Sequence, residues 1–135
     1  MRVFLDTNVL VSAFATRGLS ADVVHLILTE HDLLTGEVVL TELRRILRDK
    51  LGLSERRIDE IEALLRRCHV EPVPAERPDI DIRDEDDVWV LASAIIARAD
   101  VLVTGDRDLL DVSDEIQTPR ILNPRGFWTL LLQPP

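Results

Sequence analysis

A chain of 135 residues, 46% of them hydrophobic, is sized for one domain over residues 1–135 and buries roughly two thirds of the surface its unfolded form exposes. One cysteine, Cys68, excludes an internal disulfide framework, and with no basic, apolar and small-residue leader a cytoplasmic protein is the expectation. The net charge of −9 argues against a broad electrostatic grip on nucleic acid, and apolar runs such as residues 88–97, about half the length that spans a bilayer, argue against a membrane role.

Residues 2–5 read as a strand that stops on Asp6, with Thr7 and Asn8 polar before apolar residues resume at Val9. Residues 9–15 suit a short helix ended near Gly18. Ser20 is placed to cap the next helix, with Asp22 in its first turn and Val23, Val24, Ile27 and Leu28 on one face. Residues 33–35 form a short strand before Gly36. Over residues 38–50, Val39, Leu40, Leu43, Ile46 and Leu47 recur at intervals of three and four, the spacing of an amphipathic helix, which Gly52 ends. Ser54 caps a further helix with Ile58, Ile61, Leu64 and Leu65 on its buried side, and residues 70–73 are briefly extended. Pro72, Pro74 and Pro78 make residues 72–84 irregular. A helix begins at Asp84 or Asp86 and runs through about Ala97, residues 101–103 and 120–122 are strands, and Pro124 opens a terminal helix ending by Pro134. Strands spaced by helices define an α/β domain with a mostly parallel sheet, whose functional crevice lies outside the carboxyl ends of the strands.

Two strands deliver a carboxylate to that crevice, Asp6 in VFLDTN and Asp106 in VLVTGDRDLL. Two helices bring others. Glu42 lies near the start of its helix in VVLTELRR, and Asp87 precedes VWVLASAII, where Val88, Leu91, Ala92 and Ile95 form the apolar stripe and Asp87 shares a side with Leu91. Each acid has a plainer role to weigh: Glu42, Asp86 or Asp87 favouring a helix N-terminus, Asp106 shaping a turn after Gly105. Asp6, at the end of a buried strand with Thr7 and Asn8 beside it, points more firmly to function. Acids gathered in one cavity repel one another and lose hydration unless cations join them, and oxygen ligands without clustered His or Cys favour Mg²⁺ or Mn²⁺ over Zn²⁺.

Between Arg44 and Arg67 stand eight basic residues against five acids, and fifteen of the chain's sixteen basic residues are arginine, the side chain that forks onto phosphate oxygens. An ordinary solvated helix face is the alternative for this stretch. Phe4, Phe14, Trp89, Phe127 and Trp128 fall within apolar elements, so core packing is their expected job. His25, His31 and His69 are scattered and read as structural or surface groups, and Cys68 as a small apolar filler.

The series FLDTNVLVSA, TELRRIL, RDEDDVWVLASAIIARADVLVTGDRDLL and ILNPRGF resembles the PIN-domain nucleases, specifically the VapC-like toxins of prokaryotic toxin–antitoxin systems. The resemblance implies a PIN-like α/β/α sandwich with a mostly parallel central sheet. It implies metal-dependent endoribonuclease activity on RNA with Mg²⁺ or Mn²⁺ held by Asp6, Glu42, Asp87 and Asp106, which match the family's four acidic positions, and with Thr7, Asn8 and Thr104 supporting them. The products it implies are 5′-phosphate and 3′-hydroxyl ends. Asp84 or Asp86 stands open as a further contributor, and Asp108 as a supporting or surface group. Arg44, Arg45 and Arg48 become candidates for gripping the RNA backbone, and a cognate antitoxin and a homodimer are the implied partners.

Other readings remain beside this one. A haloacid-dehalogenase-type phosphatase wants a second aspartate two residues after the first, where Asn8 stands, and an available lysine, where Lys50 is alone. A phosphotransfer receiver lacks its paired acids before the first strand's aspartate and its late lysine. Within the PIN resemblance, housekeeping RNA processing and a catalytically inactive binding module are the alternatives to a toxin.

Overall fold

A computed structural model describes residues 1–133. Five strands, β1 (Arg2–Leu5), β2 (Asp32–Gly36), β3 (His69–Glu71), β4 (Val101–Val103) and β5 (Arg120–Leu122), form one sheet in the order β3-β2-β1-β4-β5. Every pairing is parallel, with Phe4 opposite Leu34 on one side and Leu102 on the other. Parallel strands covered on both faces need continuous apolar sequence. Val3, Phe4, Leu5 and Val101 to Val103 meet that need, all at 2% exposure or less.

The helices are α1 (Thr7–Ala15), α2 (Leu19–Glu30), α3 (Glu37–Asp49), α4 (Glu55–Arg66), α5 (Glu85–Ile96), α6 (Arg107–Asp111) and α7 (Pro124–Leu132), with a 3-10 turn at Ser113–Glu115. The chain winds outward from β1 through β2 to β3, then crosses back to β4 and β5 on the other side. Right-handed crossovers therefore put the helices of the two runs on opposite faces. Contacts of the crossover helices agree, with α2 on β2 and α5 on β2, β3 and α6, whereas α7, which follows β5, packs on α2. Between β1 and β4 the winding reverses, and in parallel sheets the crevice opens at that switch point, beyond the strands' carboxyl ends. Asp6 and Thr104 are the residues that follow those two strands.

Several boundaries depart from expectation for local reasons. Helix α1 begins at Thr7 and not Val9, because Asp6 caps it by accepting the Thr7 N–H. Gly18, at φ +141°, and not Ser20, precedes α2, so Ser20 lies within its first turn. Strand β3 stops at Glu71, since Pro72 has no N–H to extend the ladder. Glu42 falls in the second turn of α3. As expected, Ser54 caps α4 through the Arg57 N–H, and of the two starts offered for α5 Asp84 is the cap, through the Asp86 N–H; Asp106, weighed as a turn residue, caps the short helix α6. Leu28, Leu64 and Ile95 are more than a third exposed, at the rims of the stripes assigned to them. Pro134, where the terminal helix was expected to end, lies outside the described residues.

No single helix among the described residues is long and apolar enough to cross a membrane; α1 and α2 reach that composition only as a pair bent by 104°. Their apolar residues Val9, Leu10, Val23 and Ile27 are buried in the core instead.

Candidate active site

Asp6 is 3% exposed, and its carboxylate accepts three hydrogen bonds. Its Oδ1 accepts the Thr7 N–H at 2.7 Å; its Oδ2 accepts the Thr104 hydroxyl at 2.7 Å and the Asn8 amide at 3.2 Å. Asn8 turns its Oδ1 to the Gly105 N–H at 2.7 Å, and the Thr104 hydroxyl oxygen accepts the Asp106 N–H at 2.9 Å. Thr7, Asn8 and Thr104 thus hold the carboxylate and clamp the ends of β1 and β4 together. A Cβ at position 105 would lie 3.2 Å from Asn8 Oδ1, so glycine lets the loop come this close.

The other three acids arrive from separate elements. Asp106 caps α6, its Oδ1 accepting the Asp108 N–H at 2.8 Å. Glu42 reaches from α3, where its Oε2 accepts the Thr7 hydroxyl at 3.3 Å. Asp87 faces inward from the first turn of α5 at 5% exposure, as its pairing with Leu91 predicted. All four line one cavity of about 180 Å³ together with Thr7, Asn8, Ile46, Asp84 and Asp86.

The cavity is short of positive charge, and its electrostatics record that. Burial pushes the Asp6 carboxyl up to about 6, against the opposing pull of the Thr104 and Thr7 hydrogen bonds; Glu42 and Asp106 repel it further. Asp87 is raised well above the carboxylate range, first by burial and then by the charge and hydrogen-bonding pull of the neighbouring Asp106 carboxylate, which favours the protonated form. Its Oδ2 is sealed from solvent without a donor. Buried polar atoms are nearly always satisfied, and an oxygen in this position suits a cation.

Asp84, Asp87 and Asp108 bring carboxylate oxygens within 4.8 Å of one another, close enough to share a cation. Asp87 belongs both to this trio and to the expected set of four. The donor set is all oxygen, suited to a hard divalent cation, and an orphaned carboxylate at its centre fits one. Sequence reasoning left Asp84 and Asp108 open; the DEDD run signalled the first, but only the fold shows that both meet Asp87.

The arginines are less free than the local charge excess implied. Arg44 bonds Glu55, Asp59 and Glu62 on α4 at 2.9–3.2 Å, Arg48 pairs with Asp49, and Arg66 bridges Glu37 and Glu62. Helices α3 and α4 pack side by side, so their interleaved acids meet the neighbouring basic groups. Arg45 makes no ion pair among the described residues. Trp89, assigned to core packing by sequence, is not among the side chains packed on the core, whereas Phe14 and Trp128 are.

The chain belongs to the PIN domain family, whose family model matches residues 2–108. Among solved structures it is similar to the VapBC2 complex of Rickettsia felis, bound to a DNA fragment from its promoter, at 20% identity over 91% of this chain and 98% of that one, with a TM-score of 0.63. It is also similar to Mycobacterium tuberculosis VapC20, described as a sarcin-ricin-loop-cleaving toxin, at 19% identity, 82% and 94% coverage and a TM-score of 0.60. VapBC-1 of nontypeable Haemophilus influenzae matches at 21% identity, 93% and 99% coverage and a TM-score of 0.59. No curated protein matches the chain by sequence.

Proposed function

We propose that this protein is a metal-dependent endoribonuclease, the toxin of a type II toxin–antitoxin system. The observation that carries the reading is the convergence of Asp6, Glu42, Asp87 and Asp106, from four segments of chain, on one cavity at the sheet's switch point. That convergence disfavours an inactive binding module, which has no need for mutually repelling carboxylates. The likeness to a toxin that cleaves RNA and to two toxin–antitoxin complexes supports the toxin reading over housekeeping RNA processing. A cognate antitoxin is the partner this implies, a homodimer the assembly, and the cytoplasm, where RNA substrate and antitoxin meet, the location.

Asp6, Asp87 and Asp106, with Glu42 across the cavity, would hold Mg²⁺ or Mn²⁺. When bound, such an ion supplies a water of lowered pKa and offsets charge that builds on the phosphate oxygens. Thr104, Asn8 and the Thr7 N–H keep Asp6 ionised and oriented, because each donates to the charged form. Ile46 gives the cavity an apolar wall that thins the surrounding water.

The test is cleavage of a labelled total-RNA pool by wild type and Asp6→Asn in Mg²⁺, Mn²⁺ and chelator, with the product ends mapped. Metal-dependent cuts bearing 5′-phosphate and 3′-hydroxyl ends, lost in the variant, are expected. Cyclic phosphate ends would overturn the mechanism, and identical traces from folded proteins would overturn the activity.

A further inference from the structure

We propose that Trp89 and Arg45 form a subsite that holds one unpaired nucleotide of the RNA beside the cleavage cavity, Trp89 stacking on the base and Arg45 meeting a phosphate. The proposal rests on the ribonuclease reading above and adds to it two residues that hold the substrate beside the acids.

A groove of about 550 Å³ runs between α3 and α5, walled by Arg44, Arg45 and Arg48 from one helix and Trp89 from the other. Glu42 and Asp86 line both this groove and the carboxylate cavity, so the two adjoin. An RNA strand whose phosphate reaches the acids has a neighbouring nucleotide in the groove.

The occupant follows from the lining. From Asp87 to Ala94 every residue of α5 is buried except Trp89. An indole only partly covered by the core turns apolar surface toward the groove, surface that a stacked ligand covers. Every base has a π-face to lay on it, and guanidinium groups opposite suit a polyanion. Arg44 and Arg48 are already held by acids, whereas Arg45 is exposed and makes no ion pair among the described residues, so it is the cation left for a phosphate. Bases inside a duplex are stacked on one another, so the subsite selects single-stranded or looped RNA.

The test uses the whole chain carrying Trp128→Phe, which leaves Trp89 as its one indole. Titration with single-stranded oligouridylate in chelator is expected to give saturable quenching of Trp89 emission, weaker for a duplex of the same length. In cleavage of single-stranded RNA with metal, Trp89→Leu is expected to raise KM about tenfold, the effect of stacking one base, with kcat within about twofold. Trp89→Phe keeps a π-face and restores most of the loss. An unchanged KM in Trp89→Leu, from an enzyme that cleaves, overturns the subsite and leaves the ribonuclease reading standing. Quenching by RNA in a folded chain that cleaves nothing supports the subsite and removes the nuclease. Emission that responds to the antitoxin protein and not to RNA overturns the subsite in favour of a protein interface.

Discussion

The Thr104 hydroxyl donates to Asp6 Oδ2 at 2.7 Å across a sequence separation of 98 residues, while its oxygen accepts the Asp106 N–H at 2.9 Å. One buried side chain therefore sets both strand-end acids. Replacing it with the isosteric valine takes one donor from the Asp6 carboxylate and the acceptor from the Asp106 N–H. Thr104→Val is expected to cost about 2 kcal/mol of stability and to lower cleavage, with Thr104→Ser near wild type, as read by urea denaturation and initial rates.

Asp87 carries the opposite balance, since its ionised form is opposed by burial and by Asp106. An amide there removes the repulsion and donates to Asp106. Asp87→Asn is expected to stabilise the metal-free protein at pH 8 by about 1 kcal/mol, roughly 4 °C in Tm for a domain this size. The same variant should lose cleavage and lose the rise in Tm that Mg²⁺ or Mn²⁺ gives the wild type. Thermal scans with and without metal measure both.

The raised Asp6 carboxyl gives stability a pH dependence of definite sign. Between its unfolded value of 3.8 and its folded value of about 6, the folded metal-free chain keeps a proton that the unfolded chain releases. Stability therefore falls as pH rises through that window, by up to about 3 kcal/mol, and the loss is complete above it. Denaturation midpoints in chelator should be higher at pH 5 than at pH 7.5, with Asp6→Asn flattening the difference. Added metal should reverse the order, because it binds the ionised acids.

Arg44 and Arg45 are neighbours in sequence with different duties. Arg44 ties α3 to α4 through three acids, and Arg45 faces the groove unpaired. Arg45→Ala is expected to reduce the slope of log affinity against log salt by about 0.7, the share of one phosphate contact on a single strand. Arg44→Ala should leave that slope nearly intact. Fluorescence anisotropy with labelled RNA over a salt series distinguishes them.

Gly52 offers a control that lines neither the cavity nor the groove. At φ +65° it occupies the left-handed region after α3, and an added Cβ would meet nothing within 4 Å. Gly52→Ala is expected to cost about 1 kcal/mol through backbone strain alone and to leave cleavage unchanged. Denaturation and rate assays on one preparation check both halves.

Local signals carried most of the fold. The apolar runs at residues 2–5 and 101–103, the prolines before α5 and the capping Ser54 each act over a few residues, and each marks an element that the structure contains. Boundaries slipped where a cap lay outside the apolar pattern: Thr7 is polar yet helical because Asp6, also polar, begins the helix. That Asp6 and Asp106 reach one edge was legible too, because strand ends in a parallel sheet share it.

By itself, then, the sequence determined a parallel α/β domain, with acids at two strand ends and two helices, since propensity and periodicity are properties of neighbouring residues. Only the tertiary structure decided which charges meet. It joined Asp84 and Asp108 to Asp87, tied Arg44 to α4 and left Trp89 and Arg45 facing one groove. The reason is physical: partnership and burial depend on how helices pack across the sheet, and residues far apart in the chain carry no local sign of the distance that will separate them.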